Sequence, residues 1–226
     1  MADKITKQEL KQPDKLQLLF AGVMMFAMRH KKEAIVSAGV IICVVLAGTG
    51  WYFYRQHQES NAWTQYNKVV VEYNKARATG KDPAGLVKLF EDVAKKHSGT
   101  RAAAFSWYRL GNAYLNQSNI EGAIKCYEEY LKENSDDNEF RVLVYHGLAT
   151  AYEAKKDYKT ALGYYEKAIG SKAGVHFESK NFESVARMYE TLNEPQKALE
   201  YYRKAAEKAK EPSLKELLNR KISSLG

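Results

Sequence analysis

Apolar and polar positions follow three different rhythms along the 226-residue chain. Residues 16–28, LQLLFAGVMMFAM, are apolar almost throughout, and residues 34–54, AIVSAGVIICVVLAGTGWYFY, run 21 positions without a charge. From residue 60 onward apolar residues recur every third or fourth position, the period of helices that bury one face. A helix over 34–54 is about 30 Å long, the thickness of a bilayer's hydrocarbon core, so this stretch is predicted to be a single transmembrane helix. Residues 16–28 are too short to span unaided. They are predicted to form a helix lying in the membrane interface or packed on a partner, with a re-entrant element or a second span as the alternatives.

The amphipathic remainder opens with Trp63, Tyr66, Val70 and Tyr73 on one helical face, ended by Gly80. Asp82 and Pro83 read as the cap and first position of a second helix reaching about residue 97, closed by Gly99. Three self-similar blocks follow: WYRLGNAYLNQSNIEGAIKCY from Trp107, YHGLATAYEAKKDYKTALGYY from Tyr145 and FESVARMYETLNEPQKALEYY from Phe182, offset by 38 and then 37 positions. Each block has an aromatic residue at its start, then an aliphatic one (Leu110, Leu148, Val185) and a small one (Gly111, Ala149, Ala186). Next come a tyrosine (Tyr114, Tyr152, Tyr189), an alanine (Ala123, Ala161, Ala198) and a second tyrosine (Tyr127, Tyr165, Tyr202).

Those six positions in three copies match the tetratricopeptide pattern, a helix–turn–helix unit of about 34 residues. Small residues let the two helices of a unit cross closely, with Gly111 expected against Ala123. The large ones bury against the next unit, because no single unit covers its own apolar face. The predicted fold class is therefore all-α: one N-terminal transmembrane helix followed by a tetratricopeptide-type α-solenoid. The organisation expected is a stub over 1–33, the span over 34–54 and a repeat domain over 55–226. That domain divides into a degenerate hairpin at 60–98, units at about 104–137, 142–175 and 179–212, and a capping helix at 213–225. The proline usual near a unit's end is replaced by Ser135, Ala173 and Lys210. Extra residues at 138–141 and 176–178 are expected to lengthen loops or helices between units.

Charge gives the span a direction. Arg29, Lys31 and Lys32 precede it, while only Arg55 and then Lys68 follow, which favours a cytoplasmic N-terminus and an extracytoplasmic repeat domain. No A-x-A-like site follows the apolar run, so an uncleaved signal anchor is expected. Trp51, Tyr52, Phe53 and Tyr54 place its outer boundary near Arg55. Gly39, Cys43 and Ala47 recur at four-residue spacing and would let a second helix approach the span. The net charge of +8 is spread over mixed-sign surface, with no basic run interleaved with aromatics, which excludes a nucleic-acid signature. The two cysteines, Cys43 in the span and Cys126 in the repeats, are not placed to pair.

No nucleophile elbow, phosphate loop or His/Cys cluster of metal spacing occurs, and the five histidines are scattered. No catalytic, cofactor or metal site and no small-molecule substrate are expected. What remains is a protein-binding surface. In a tetratricopeptide stack the first helix of each unit lines a concave groove. The pattern puts Tyr108, Asn112 and Leu115 there from the first unit, His146, Thr150 and Glu153 from the second, and Glu183, Arg187 and Glu190 from the third. Some such domains clamp a terminal carboxylate with Lys and Asn; Tyr108 and His146 stand where that clamp would need them, so tail-carboxylate binding is not expected.

The short stub, the single span ending in GWYFYRQHQ, the repeat domain and the C-terminal KISSLG together resemble the YfgM family of ancillary subunits of the bacterial SecYEG translocon. Lys221, Ile222 and Leu225 match that family's C-terminal helix ending. The resemblance implies a single-pass inner-membrane protein with a periplasmic repeat domain, acting as a non-enzymatic adaptor. Its implied partners are the SecYEG translocon and a membrane-anchored periplasmic chaperone of the PpiD type. The chain differs from the family in cleaner repeat signatures and a longer, more apolar stub. The alternative is a scaffold for another envelope assembly, such as secretion, pilus, cytochrome-export or division machinery. A eukaryotic outer-membrane import receptor with a cytosolic repeat domain is a further rival.

Overall fold

The computed structural model describes residues 15–80, 84–134 and 139–226. The cap proposed at Asp82 and Pro83, the stub before residue 15, and Ser135 lie outside the described residues. Every regular element described is helical. They are α1 (Lys15–Arg29), α2 (Lys31–Ala78), α3 (Ala84–Lys96), α4 (Arg101–Asn116), α5 (Ile120–Glu133), α6 (Glu139–Ala154), α7 (Tyr158–Gly170), α8 (Glu178–Thr191), α9 (Pro195–Lys208) and α10 (Pro212–Leu225). A short 3-10 helix, Lys172–Phe177, precedes α8.

The chain divides into two units, residues 1–56 and 57–226. The first contains α1 and the apolar part of α2, whose large side chains are exposed from Leu16 to Tyr54. α2 is the one helix among the described residues long and apolar enough to cross a membrane, by length and composition. The sequence reading separated a span ending at residue 54 from a helix starting at residue 60; the structure has no break there, and α2 continues to Ala78. The physical reason lies in the connecting residues: 55–59, RQHQE, contain neither glycine nor proline, and all favour or tolerate helix.

The second unit stacks helical hairpins. α4 packs on α5, α6 on α7 and α8 on α9, with α3 against α4 and α10 closing the stack on α9. At its start, Tyr66 and Val69 of α2 are buried with Phe90 of α3 in the first core cluster. A second cluster runs from Ala149 to Leu218, and Tyr152 and Tyr164 pack against both, so the apolar interior is continuous.

The tight turns inside the three units share one geometry. Ser118, Lys156 and Asn193, at equivalent positions, have φ near +60° (60, 62 and 60°). The left-handed residue reverses the chain, and a capping group starts the second helix. Asn119 Oδ1 accepts from Gly122 N at 3.0 Å and Asp157 Oδ1 from Thr160 N at 3.2 Å. The third turn uses Pro195 at the helix start instead. Gly80 and Gly99, read as helix terminators, both sit at positive φ (69 and 81°). Of the insertion before the third unit, His176 and Phe177 end the 3-10 helix and Glu178 begins α8, while Glu139, Phe140 and Arg141 of the earlier insertion are absorbed into α6.

The glycines frame a ring that the sequence pattern does not assign to them. A Cβ at Gly111 would lie 2.6 Å from Tyr127 Cε1, and one at Gly147 would lie 2.5 Å from Tyr127 Cζ. The glycine at 111 therefore makes room for the fully buried Tyr127 ring, and Gly147 on α6 closes the slot from the next unit.

Candidate functional site

The first helices of the three units, α4, α6 and α8, carry the nine residues predicted to line the groove. Tyr108 is half-buried and aromatic on all sides: its ring lies 6.4 Å from both Tyr127 and Tyr130 and 5.8 Å, edge-on, from Phe140. Leu115 packs against the first core cluster. Asn112 accepts a 2.7 Å hydrogen bond from the Tyr127 hydroxyl. Burial pushes that phenol well above its ordinary pKa, so it remains a donor.

In the second and third units a glutamate takes over this role. The Tyr165 hydroxyl donates to Glu153 at 2.5 Å, and the Tyr202 hydroxyl donates to Glu190 at 2.7 Å. Each carboxylate also grips a cation from the element stacked beyond it. Arg187 of α8 donates to Glu153 from Nη1 and Nη2 (2.5 and 2.9 Å), a forked contact, and Lys221 of α10 donates to both oxygens of Glu190 (3.0 and 3.1 Å). Burial and then Glu153 push the Tyr165 pKa up to about 12; the hydrogen bond to Glu153 also raises that of Arg187. The Tyr202 hydrogen bond and the Lys221 ammonium hold Glu190 below its ordinary value. In the first unit the equivalent position is Leu115, which cannot accept, and Asn112 one turn earlier serves instead.

His146 and Thr150 occupy the middle of the row. His146 Nε2 lies 2.6 Å from Oδ1 of the buried Asn181, whose amide reaches the Ala168 and Gly174 carbonyls at 3.3 Å each. Burial lowers the His146 pKa, and the Asn181 contact offsets part of that. Thr150 is exposed and its hydroxyl donates back to the His146 carbonyl (2.9 Å). Glu183 pairs with Lys180 at 2.9 Å. The charged members of the row thus have partners within the chain: Glu153–Arg187 and Glu190–Lys221 join successive elements, whereas Glu183–Lys180 lies within α8.

That aromatic end is larger than the sequence reading made it. Phe105 lies 5.4 Å from Trp63 and 4.3 Å, edge-on, from Phe140, which is 39% exposed. A strip Trp63–Phe105–Phe140–Tyr108 therefore crosses α2, α4 and α6. Phe105 and Phe140 fall outside the repeat signature; Phe105, three before Tyr108, shares its helical face, while no such spacing marks Phe140. Gly39, Cys43 and Ala47 lie in α2 with open space around Gly39 and an exposed Cys43. Among the described residues no group of His, Cys, Asp or Glu is placed to hold a metal ion.

A stack of helical hairpins with an aromatic strip on its first helices is a protein-interaction scaffold, a fold that typically works without catalysis. The chain belongs to the tetratricopeptide repeat-like domain family, whose profile matches residues 29–226. No curated protein sequence matches it significantly. Among solved structures it is similar to nearly identical TPR-like repeats from Podosopora anserina, with a TM-score of 0.56 and 16% identity over 74% of this chain and 86% of that one. It is also similar to MamA from Desulfovibrio magneticus RS-1 (TM-score 0.54, 13% identity, 71% and 93% covered). A tetratricopeptide repeat protein from Parabacteroides merdae gives a TM-score of 0.59 at 14% identity, covering 72% of this chain and 60% of that one. At these identities the likeness is one of fold.

Proposed function

We propose that this protein is a membrane-anchored adaptor, with α2 spanning the bacterial inner membrane, its N-terminus in the cytoplasm and its repeat domain in the periplasm. It acts there as an ancillary subunit of the Sec translocon, holding an emerging chain or a PpiD-like chaperone on the groove of the first helices. The observation that carries this reading is the union, in one chain, of a helix apolar enough to cross a bilayer with a repeat stack whose charged groove residues are paired internally while its aromatic strip is only partly buried and exposes Phe140. Apolar segments of unfolded chains bind such a strip by burying ring area, about 25 cal/mol per Å2 removed from water. The basic residues before the apolar run and the likeness to the YfgM family support the orientation and the partner.

Affinity isolation of the tagged protein after gentle detergent extraction tests it. SecY or a PpiD-like chaperone is expected in the eluate. Their absence, with the translocon itself intact in the extract, overturns the translocon assignment; recovery of another envelope assembly instead assigns the scaffold to that machine. Reporter fusions after Gly226 should be active in the periplasm and silent in the cytosol, and the reverse pattern refutes the orientation.

A further inference from the structure

The repeats agree in kind at all six signature positions, and a disagreement at the residue just before the last of them leaves a hole. In the second unit the Tyr164 ring stacks 5.6 Å from Tyr152 at an interplanar angle of 17° and lies 6.3 Å from Tyr145. In the third, Tyr201 sits 5.5 Å from Tyr189 and 6.2 Å from Phe182. Both rings thus fill the space between the first and second aromatics of their unit's first helix. In the first unit those two aromatics are Trp107 and Tyr114, but the residue that should supply the ring is Cys126. A cleft of about 780 Å3 opens at this place, lined by Ala94, Trp107, Leu110, Tyr114 and Cys126, with Glu129 and Glu133 at its edge.

Two polar atoms there lack partners among the described residues. Trp107 is 9% exposed, and its buried Nε1 meets no acceptor. Glu133 takes a 2.7 Å hydrogen bond from Ser98 on one oxygen while the other, also buried, has none. A buried donor or acceptor left unmade is costly, and it is expected where a ligand completes it. Lys167 lies 4.5 Å from the Tyr164 ring and Lys204 lies 4.6 Å from the Tyr201 ring; the first unit has Glu129 at that position, paired with Lys132 at 3.4 Å, and Lys95 and Lys125 also line the cleft. The Cys126 thiol contributes surface rather than reactivity, since burial keeps it protonated.

We propose that this cleft receives an aromatic side chain of a bound polypeptide. The ring enters between Trp107 and Tyr114 over Cys126, where the sister units place their own tyrosines. Trp107 and Glu133, the residues that carry the two unpartnered atoms, both line the cleft beside that ring. The ring comes from another chain, because residues 1–14, 81–83 and 135–138 contain no Phe, Tyr or Trp. The site uses a different face of α4 from the groove residues Tyr108, Asn112 and Leu115, so it stands or falls independently of the translocon assignment.

The test uses the full chain in nanodiscs and the peptide Ac-Gly-Ser-Phe-Ser-Gly-NH2, compared with the same peptide carrying Ala at its centre. The three tryptophans give three indole N–H resonances, and Trp107→Phe assigns the relevant one. The Phe peptide should shift the Trp107 resonance saturably while Trp51 and Trp63 stay still, and the Ala peptide should not. Cys126→Tyr, which fills the cleft as the sister units do, should weaken binding by roughly tenfold or more without lowering the thermal midpoint. Cys126→Leu, a smaller filler, should weaken it in part and guards against misfolding of the first variant. Equal response to both peptides, or undiminished binding in both variants, overturns the proposal. Self-association of the chain that Cys126→Tyr abolishes would assign the cleft to a second copy and overturn the separate partner.

Discussion

Substituting Gly147 by alanine tests how tightly the first and second units are locked. Two opposing effects operate. Alanine in place of glycine within a helix favours folding by about 0.5–1 kcal/mol, because the unfolded chain loses freedom. Against this, the new Cβ would lie 2.5 Å from Tyr127 Cζ and 2.8 Å from its hydroxyl oxygen, about 1 Å inside ordinary contact. Tyr127 cannot retreat: it is fully buried, its hydroxyl is bonded to Asn112, and Gly111 closes its other side. Overpacking of this kind costs about 1–3 kcal/mol, so Gly147→Ala should destabilise by about 1–2 kcal/mol net. Gly163→Ala in α7 meets nothing within 4 Å and should show the favourable term alone. Urea unfolding of the purified chain, followed by far-ultraviolet circular dichroism, measures both. Tyr127→Leu empties the slot, so the overpacking cost of Gly147→Ala should disappear in that background and leave only the helix gain, giving a coupling of about 1.5–3 kcal/mol. Equal stabilisation by the two alanines, or no coupling to Tyr127, would refute the locked-ring reasoning.

Three further outcomes follow from the same geometry. Glu153→Ala and Arg187→Ala should each destabilise the junction of the second and third units, and together by less than their sum, since either removes the forked pair; Arg187 is 46% exposed, which limits the coupling to about 1 kcal/mol in a double-mutant cycle. Glu190 has its pKa lowered by Tyr202 and Lys221, so the stability it contributes is complete above its unfolded value and is lost as pH falls below it; Glu190→Gln should flatten that acid limb of the stability–pH curve and loosen α10 to hydrogen exchange. Lys156, exposed and at φ 62°, should gain about 0.5–1 kcal/mol on replacement by glycine, read as a higher thermal midpoint.

The repeat architecture was legible because its physics is periodic. Alanines at 123, 161 and 198 and tyrosines at 127, 165 and 202 recur only if the same helix pair is built three times. Three features were not legible. The continuation of α2 through residues 55–59 depended on the absence of a breaker, a weaker signal than the presence of one. The partner of Gly111 depended on which side chain enters from the second helix, and Tyr127 could be placed between Gly111 and Gly147 only in three dimensions. The pairing of Glu153 with Arg187 and of Glu190 with Lys221 links residues on successive elements, and helical periodicity within one element carries no record of it. The vacancy at Cys126 was visible in the alignment, where KCY stands opposite GYY and EYY, but its meaning required knowing that Tyr164 and Tyr201 fill space between two other rings.

The central claim is that the first helices of the stack hold a polypeptide at the membrane. Photo-crosslinking in living cells tests it most directly, with the reactive group placed at Tyr108 beside the aromatic strip and, as a control, at the exposed Glu207 of α9. The account predicts discrete polypeptide adducts from position 108, including SecY, a PpiD-like chaperone or a chain in transit, and none from position 207. Adducts of equal yield from both positions, or none from position 108 while the protein is intact in the membrane, would contradict it.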